Sequence, residues 1–566
     1  MKFTIGHTRR GNPVDLSEEE RSRHLHILGA SGTGKSKLIE CMIRQDILAG
    51  RGLCLIDPHG TLAESVAAFC ASRGLSDFRA IHVVEPANTE WTFGFNPLRL
   101  DGTTEPATRV DAMVAACAQV WGGERLDATP LLKKCLRSVF YVLAVRGLTL
   151  VEAVDLINSA DPRALRRKLT HELPDYVFDG LWQEFNALPK RDFAEQFSST
   201  NNRLIEFLSA PILRRIVGQN QRAIDLKRVM DNHEILIVNL APRGALSADN
   251  ARLLGTLLTS ELFLLALARD EAIAHKAPFY LYIDECYDYL TNDVERMLDQ
   301  TRKFGLHLCL SHQRLGQLRD RSEAIYNGVM TGGQTKIVFG GLEDDDAEVM
   351  ARQIMRSSFN LERPKRSLNK PIVIDEVPYW LESVSYTESS SSSSGSSQMS
   401  GRSSGTGASE SYNVDNEMVG SGASISSGES GAYGTNSSTT SGRSTTRGFS
   451  QTLKPVRVMM PTAVHSLEEE IHQAILKLRE LPRQAAVVKR RGRQPVRIRA
   501  PEVNRVLVSA EQVRTFKNRC CANSPFISFA AAIDAEIEGR RKFLEAAETE
   551  TPRASSFWHE ERTSQP

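Results

Sequence analysis

The sequence lacks the cysteine pairs and the long apolar runs of secreted or membrane-spanning chains. Its 9 cysteines are odd in number and mostly isolated, and they form no CxxC pair that could hold zinc. The N-terminal stretch has no apolar segment typical of a signal peptide. No run approaches the roughly 20 apolar residues that span a bilayer, and the nearest, Leu257 to Ala268, contains Glu261 and is predicted to be a buried helix. We therefore expect a chain of the reducing cytosol with no transmembrane segment.

The sequence also lacks an excess of charge of either sign. It has 70 Lys and Arg residues and 69 Asp and Glu residues, which gives a formal net charge of +1. No global field therefore draws the whole molecule onto nucleic acid, and any such contact would come from local patches. At 566 residues the chain is too long for one ordinary hydrophobic core, so we expect two or more folded units.

Strand-like and helix-like patterns alternate over the first hundred residues. Apolar runs lie at 24–28, 53–56 and 80–84, and amphipathic stretches begin at Lys35 and Leu62. This βαβαβ rhythm predicts a parallel sheet covered by helices. From about residue 106 to 228 the pattern becomes that of amphipathic helices, which predicts an all-helical insertion. The sheet is predicted to be built from two halves of the sequence, because apolar runs return at 235–240, 279–283, 307–310 and 336–339.

A segment from 384 to 450 is dominated by Ser, Gly and Thr and has almost no aliphatic residues. Such a segment cannot bury enough surface to offset its chain entropy, so we predict that it is disordered. As a flexible coil of roughly 60 residues it would span on the order of 45 Å, enough to tether without dictating geometry. Beyond it the sequence predicts a helix at 467–481, a basic strand-turn-strand stretch at 485–499 and a helix-prone C-terminal region.

A phosphate-binding loop motif, or P-loop, follows the apolar run at 24–28. It satisfies GxxxxGK[ST] with Gly29, Ala30, Ser31, Gly32, Thr33, Gly34, Lys35 and Ser36. Glycines let the backbone N–H groups of the loop approach phosphates closely, and the N-terminus of the next helix adds a positive dipole end. Lys35 is predicted to reach the β- and γ-phosphates of ATP, and Ser36 to place its hydroxyl on Mg²⁺. The alternative is a Gly-rich turn that matches by chance, and the strand-loop-helix context argues against it.

Two adjacent acids end an apolar run far downstream. Asp284 and Glu285 directly follow Phe279–Ile283. Ligands of an open α/β sheet bind at the carboxyl ends of its strands, so these acids would converge with Lys35. Asp284 would hold the water shell of Mg²⁺, and Glu285 would polarise the attacking water. Either acid alone could be an ordinary strand-end carboxylate, but both together in a chain with a P-loop favour a hydrolytic site.

Gln313 and Arg302 flank the next predicted strand. Gln313 would lie at the tip of the strand beside Asp284, within reach of a γ-phosphate, and a solvated loop amide is the alternative. Arg302 stands where a cation could reach the nucleotide of a neighbouring subunit. A cation favoured by the C-terminal dipole of a helix explains its position nearly as well.

With these motifs the chain resembles the HerA/FtsK superfamily of P-loop ATPases, and within it the soluble ATPase domain of type IV secretion (conjugative) coupling proteins. The resemblance covers residues 1 to about 355. Besides the P-loop and the acidic pair, the ordered motifs are His26–Gly29, Ile56–Gly60, Gly94–Leu98, Asn201–Leu204, Ala210–Arg214, Val238–Leu240 with Gly244, and Arg302–Leu306 through to Gln313. The resemblance implies that Gln313 is the sensor glutamine and Arg302 a candidate arginine finger. Asp57 would either brace the site or touch nucleotide or water.

The resemblance further implies a hexamer with DNA in a central channel, and an all-α domain on the face where DNA enters. A head-to-tail interface closes into a ring, and an arginine supplied in trans would make hydrolysis depend on the neighbour. Membrane-anchored coupling proteins carry N-terminal transmembrane helices, whereas this sequence starts at the ATPase. We therefore expect a cytoplasmic motor, with any recruitment to the inner face of the membrane left to a membrane-embedded secretion partner or a relaxase.

One local basic patch is a candidate for contact with DNA. The stretch carries no acids and seven cations, namely Arg483, Lys489, Arg490, Arg491, Arg493, Arg497 and Arg499. They could neutralise several phosphates, or the stretch could be a hairpin that returns to the core sheet with solvated tips. In the helical insertion, Arg166 to Lys168 and Arg214–Arg215 are scattered cations that fit a solvated face better.

The predicted fold class is α/β, a RecA-like P-loop ATPase core with a mostly parallel sheet, an inserted all-α domain and a disordered Ser/Gly-rich segment. The predicted divisions are 1–104 and 233–383 for the core, 105–232 for the insertion, 384–450 for the disordered linker and 451–566 for a C-terminal region with the basic hairpin. The leading hypothesis is an ATP-hydrolysing DNA translocase that serves conjugation. The alternatives are a cytosolic HerA-like motor for DNA processing or defence and, in another class, a protein-secretion ATPase or a nucleotide-gated scaffold.

Overall fold

The computed structural model describes residues 3–100, 102, 104–121, 130–158, 162–244, 246–356, 369–392, 400–412, 418–431, 439–461 and 466–549. Contacts divide the chain into two units, one of residues 1–359 with 471–566 and one of residues 360–470. The first unit contains the large sheet, most of the helices and the P-loop. The predicted domain boundaries stay predictions, and part of the predicted disordered linker lies outside the described residues.

An 11-stranded sheet forms the centre of the first unit. Its strands are β1 (Phe3–His7), β2 (Pro13–Leu16), β3 (Leu25–Leu28), β4 (Gly52–Asp57), β5 (Ile81–Val84), β7 (Ile235–Asn239), β8 (Phe279–Ile283), β9 (Leu306–His312), β10 (Thr335–Phe339), β15 (Ala485–Lys489) and β16 (Val496–Arg499). A separate two-stranded sheet pairs β6 (Trp91–Phe93) with β17 (Ile527–Phe529).

The order of the large sheet is β2-β1-β16-β15-β10-β3-β9-β8-β4-β7-β5. All neighbours from β10 to β5 are parallel, while β15, β16, β1 and β2 extend the β10 edge in antiparallel pairs. The parallel strands are continuous apolar runs because both of their faces are covered. The α/β class with a mostly parallel sheet drawn from both halves of the sequence is therefore confirmed.

Twelve helices accompany this sheet in the described residues. They are α1 (Glu18–Ser22), α2 (Lys35–Leu48), α3 (Thr61–Ser72), α12 (Ala248–Leu267), α13 (Glu271–Lys276), α14 (Val294–Gln300), α15 (Leu315–Arg319), α16 (Glu323–Gly332), α17 (Asp344–Met350), α18 (Leu467–Arg479), α19 (Ala510–Asn523) and α20 (Ala530–Thr549). By length and composition α12 alone among the described helices could cross a membrane, but 67% of its apolar window is buried within the fold. This agrees with the predicted buried helix.

Apart from turns, coil and an isolated β-bridge between Gly94 and Ala223, the described part of the insertion between 105 and 232 is helical. Its helices are α4 (Pro106–Trp121), α5 (Pro130–Val145), α6 (Glu152–Asn158), α7 (Pro162–Thr170), α8 (Tyr176–Ala187), α9 (Lys190–Ser209), α10 (Pro211–Val217) and α11 (Leu226–Asp231). The interpretation of Arg166 as part of a solvated face is wrong. Its guanidinium is buried 3.8 Å from the centre of the Phe193 ring, and its Nε donates to the side chain of Asn186 at 2.8 Å. Stacking on an aromatic ring lets a buried guanidinium keep its charge.

The second unit holds a four-stranded sheet in the order β13-β12-β11-β14, with antiparallel neighbours. Its strands are β11 (Asn369–Ser392), β12 (Ser400–Tyr412), β13 (Met418–Gly431) and β14 (Thr439–Pro461). Within 384–450 these strands consist mainly of Ser, Gly and Thr, so they carry little apolar surface to offset the entropy of ordering. Disorder of 384–450 therefore stays a prediction.

Candidate nucleotide site

The P-loop connects the end of β3 to the start of α2. A Cβ on Gly29 would lie 2.5 Å from the Cβ of Phe339, so a larger residue would collide with the end of β10. Gly34 has φ of 120°, a conformation that other residues rarely adopt. The loop therefore needs glycine at both positions, and its backbone N–H groups are placed at a helix N-terminus, where anions bind.

Lys35 lies buried across this loop. Its Nζ donates to the carbonyl oxygens of Gly29 at 2.5 Å and Ala30 at 3.2 Å. Burial lowers the pKa of Lys35 from its usual value, while the charges of Glu285 and Asp284 oppose that shift. The ammonium group is thus held within the field of both acids, where it can also meet the phosphates of a nucleotide.

Ser36 and Asp284 face each other across the site. The Ser36 hydroxyl donates to Oδ2 of Asp284 at 3.3 Å, although the two residues belong to α2 and to the end of β8. Oδ1 of Asp284 is buried and has no hydrogen-bond partner within the described part of the chain. Burial, followed by the neighbouring charge of Asp57, raises the pKa of Asp284. A buried carboxylate oxygen with spare acceptor capacity beside a hydroxyl fits Mg²⁺, which prefers such oxygen ligands.

Glu285 adopts an uncommon backbone conformation directly after β8. Its φ is 49°, in the left-handed region that few residues other than glycine occupy. Its Oε1 accepts a hydrogen bond from Nε2 of Gln313 at 2.6 Å, and its Oε2 is buried without a partner in the residues described. Burial is the main cause that raises the pKa of Glu285, and the charge of Asp284 adds to it. Strain of this kind persists where the surrounding structure holds a residue for function.

The structure brings Lys35, Ser36, Asp284, Glu285 and Gln313 together and places Arg302 elsewhere. Gln313 follows β9 at the carboxyl edge of the sheet. Arg302 is exposed and precedes β9, at the amino edge of the same strand. A strand of this length separates the two edges by roughly 20 Å, so Arg302 does not reach the site of its own chain. Its role as an arginine finger stays a prediction that requires a second subunit.

Asp57 braces the loop after β4. Its Oδ1 accepts from the backbone N–H of His59 at 2.9 Å, and its Oδ2 accepts from that of Ala63 at 2.8 Å. The carboxylate thus satisfies one N–H in the first turn of α3, as a helix-capping side chain does. Of the two roles left open by the sequence, the described contacts support bracing.

A histidine pair that the sequence does not predict lies buried beneath the P-loop. Nε2 of His26, in β3, lies 2.7 Å from Nε2 of His312, the last residue of β9. Nδ1 of His312 lies 2.9 Å from the Arg314 carbonyl, so it carries the proton and leaves its Nε2 as an acceptor. His26 then donates through Nε2 and keeps a bare Nδ1, which agrees with that atom having no partner in the described residues. The sequence shows each histidine but not that β3 and β9 are neighbours.

The basic stretch does return to the core sheet. β15 pairs with β10, and β16 pairs with β15 and β1. Arg490 is buried and donates to the carbonyl of Asp15 at 3.1 Å, while Arg493 lies 3.3 Å from the carboxylate of Glu20. The exposed members are Arg483, Arg491, Arg493, Arg497 and Arg499. Part of the positive charge is therefore used within the fold, and contact with DNA stays a prediction.

No family model matches this sequence, and no protein of curated function matches it. Among solved structures, the chain is similar to the unbound monoclinic form of the bacterial conjugative coupling protein TrwBdeltaN70, with a TM-score of 0.50 and 14% identity over 89% of this chain and 90% of that chain. Plasmid coupling protein TrwB in complex with the non-hydrolysable GTP analogue GDPNP, and with the ATP analogue ADPNP, matches at the same score and identity over 89% of this chain and 91% of each. At this identity the likeness shows the fold, and the resemblance to the ATPase domain of coupling proteins is confirmed at that level.

Proposed function

We propose that this chain is an ATP-hydrolysing motor that moves DNA, with a mechanism like that of conjugative coupling proteins. The observation that carries the proposal is the convergence of Lys35, Ser36, Asp284 and Glu285 at one edge of the sheet, from two distant parts of the sequence. The coupling-protein fold adds support, and TrwB has been solved with analogues of ATP and GTP.

The proposal gives each residue a role. The N–H groups of the P-loop and Lys35 would bind the phosphates, and Ser36 with Asp284 would hold Mg²⁺, whose charge would offset that of the triphosphate. Glu285 would orient the attacking water through its carboxylate. Gln313, which donates to Glu285, would fix that carboxylate and sense the γ-phosphate beside it.

The proposals that the chain acts on DNA, forms a ring and works in the cytoplasm rest on its resemblance to coupling proteins. Following that resemblance, we propose a homo-oligomeric ring of six subunits around DNA. The position of Arg302, too far from the site of its own chain, fits an action on the nucleotide of a neighbouring subunit. We also propose that the chain acts on the cytoplasmic side of the membrane, together with a membrane-embedded secretion partner or a relaxase.

The test measures ATP hydrolysis by the purified chain with and without double- and single-stranded DNA. DNA is expected to stimulate turnover, and Lys35→Ala and Glu285→Gln are each expected to lower it at least ~100-fold. Turnover that is equal in both variants and the wild type would refute the hydrolytic site. Hydrolysis that needs both residues but ignores DNA would instead favour a protein-secretion ATPase or a nucleotide-gated scaffold.

A second measurement separates conjugation from DNA processing or defence. Proteins that copurify with the Glu285→Gln variant in the presence of ATP are identified. A secretion channel component or a relaxase supports the conjugative role, whereas a nuclease supports the HerA-like alternative.

A further inference from the structure

The turn that leads into β15 lies against the P-loop. The backbone N–H of Gln484 donates to the carbonyl oxygen of Thr33 at 2.8 Å, and its own carbonyl accepts from Ala500 at 2.7 Å. The Gln484 side chain also packs on the loop, because its Cγ lies 3.6 Å from the position that a Cβ on Gly34 would occupy. A residue that follows the Ser/Gly-rich segment therefore forms one wall of the nucleotide site.

The order of the strands indicates which part of a nucleotide this wall would meet. Within the sheet, β3 has β9 and β8 on one side and β10 and β15 on the other. Asp284 and Glu285 end β8, so the γ-phosphate would lie toward that side. A triphosphate held by the loop after β3 then extends its α-phosphate and nucleoside toward β10 and β15. The Gln484 turn is on that side.

The side chain of Gln484 can form hydrogen bonds that distinguish one base from another. Its side-chain amide has no hydrogen-bond partner within the described part of the chain, and the residue is half-buried. An amide is uncharged, so it adds little to phosphate binding, but it presents a donor and an acceptor together. That pair matches the N6 amino group and N7 of adenine, whereas guanine presents two acceptors at the corresponding edge.

We propose that Gln484 contacts the base of the bound nucleotide and favours adenine over guanine. The inference rests on the proposed nucleotide site and adds a specificity residue to it. Its backbone has φ of 66°, so the residue stands in the left-handed conformation. Replacement by glycine therefore removes the amide without disturbing a conformation that glycine adopts readily.

The test is calorimetric titration of the full chain with ADP and with GDP in the presence of Mg²⁺. The wild type is expected to prefer ADP. Gln484→Gly is expected to weaken the affinity for ADP about five- to tenfold, while the affinity for GDP changes by less than about twofold. Glu172→Gly is the matched control, because Glu172 is also a non-glycine residue at positive φ, 50°, and is exposed far from the P-loop in the sequence. It should leave both affinities unchanged.

Three results would overturn the base contact. They are equal affinity of the wild type for ADP and GDP, an unchanged affinity for ADP in Gln484→Gly, and an equal loss of affinity for both nucleotides in Gln484→Gly. The Lys35→Ala variant, titrated in parallel, distinguishes failure of this inference from failure of the proposed function. If Lys35→Ala loses binding and Gln484→Gly does not, only the base contact is wrong. If Lys35→Ala binds both nucleotides as well as the wild type does, the nucleotide site itself is wrong.

Discussion

His26 in β3 and His312, the last residue of the neighbouring β9, form a direct hydrogen bond, with their Nε2 atoms 2.7 Å apart and their rings within 7° of parallel. One ring lies just before the P-loop, and the other directly precedes Gln313. Both rings are buried, and burial is the main cause that lowers the pKa of each, that of His312 to about 4. Protonation of Nε2 of His312 would remove the acceptor of this hydrogen bond, so the contact between β3 and β9 requires a neutral His312.

This neutrality predicts a loss of stability in mild acid. Below pH ~6.5 an unfolded histidine binds a proton, whereas folded His312 stays neutral down to about 4. The stabilisation is thus fully present above pH 6.5 and is lost as pH falls toward 4, by on the order of 3 kcal/mol for His312. Thermal unfolding midpoints between pH 4 and 7.5 should fall less steeply for His312→Asn than for the wild type. The exposed residue His7 provides the control, and a His7→Asn profile as flat as that of His312→Asn would contradict the explanation.

Glu285→Gln should separate nucleotide binding from hydrolysis. A glutamine keeps the shape of the side chain and an oxygen that can accept from Gln313, but it cannot polarise water as a carboxylate does. We expect hydrolysis to fall ~100- to 10,000-fold while the dissociation constant for ATP changes little. Turnover and nucleotide binding are measured on the same preparation. The exposed residue Glu90 supplies a control, since Glu90→Gln should alter neither. A Glu285→Gln variant that hydrolyses ATP normally would remove this residue from the mechanism.

Arg302→Ala should impair hydrolysis only through the neighbouring subunit. Because Arg302 lies at the amino edge of β9, nucleotide binding by its own chain should be unchanged, while turnover of the assembled ring should drop ~1,000-fold or more. Mixing Arg302→Ala with Glu285→Gln should restore part of the activity, because some interfaces then combine an intact arginine with an intact glutamate. The adjacent exposed residue Lys303 is the control. Mixed rings that stay inactive would argue against a finger at this position.

Asp57→Ala should lower stability more than removal of an ordinary helix cap. The change leaves two backbone N–H groups near the start of α3 without their acceptor, one of them buried, which costs about 2–3 kcal/mol. Asp225→Ala is a suitable comparison, because Asp225 caps α11 through a single bond to the backbone of Arg228 and should cost about 1 kcal/mol. Denaturant unfolding measures both. Equal losses in the two variants would mean that Asp57 is no more than a cap.

The sequence predicted the parts of the fold that follow local patterns. β3 leads into the P-loop and β8 leads into Asp284, and both are short, mainly apolar runs, so their type and the edge of the sheet at which they end could be argued without coordinates. The β1–β2 hairpin was missed because its strands are short and Arg9, Arg10, Gly11 and Asn12 make the stretch resemble a polar tail. The contact of Gln484 with Thr33 could not be foreseen, because it depends on strand pairing across the long Ser/Gly-rich segment.

The placement of β15 and β16 bears on how the chain is made. A ribosome releases β10 well before β15, so the nascent sheet carries an unpaired edge at β10 until residue 489 has emerged. Over the same interval β1 lacks its contact with β16. Open strand edges invite pairing with other chains, which makes truncated products prone to aggregate. The ribosome must therefore synthesise the whole Ser/Gly-rich segment before β15 can pair with β10 and β16 with β1.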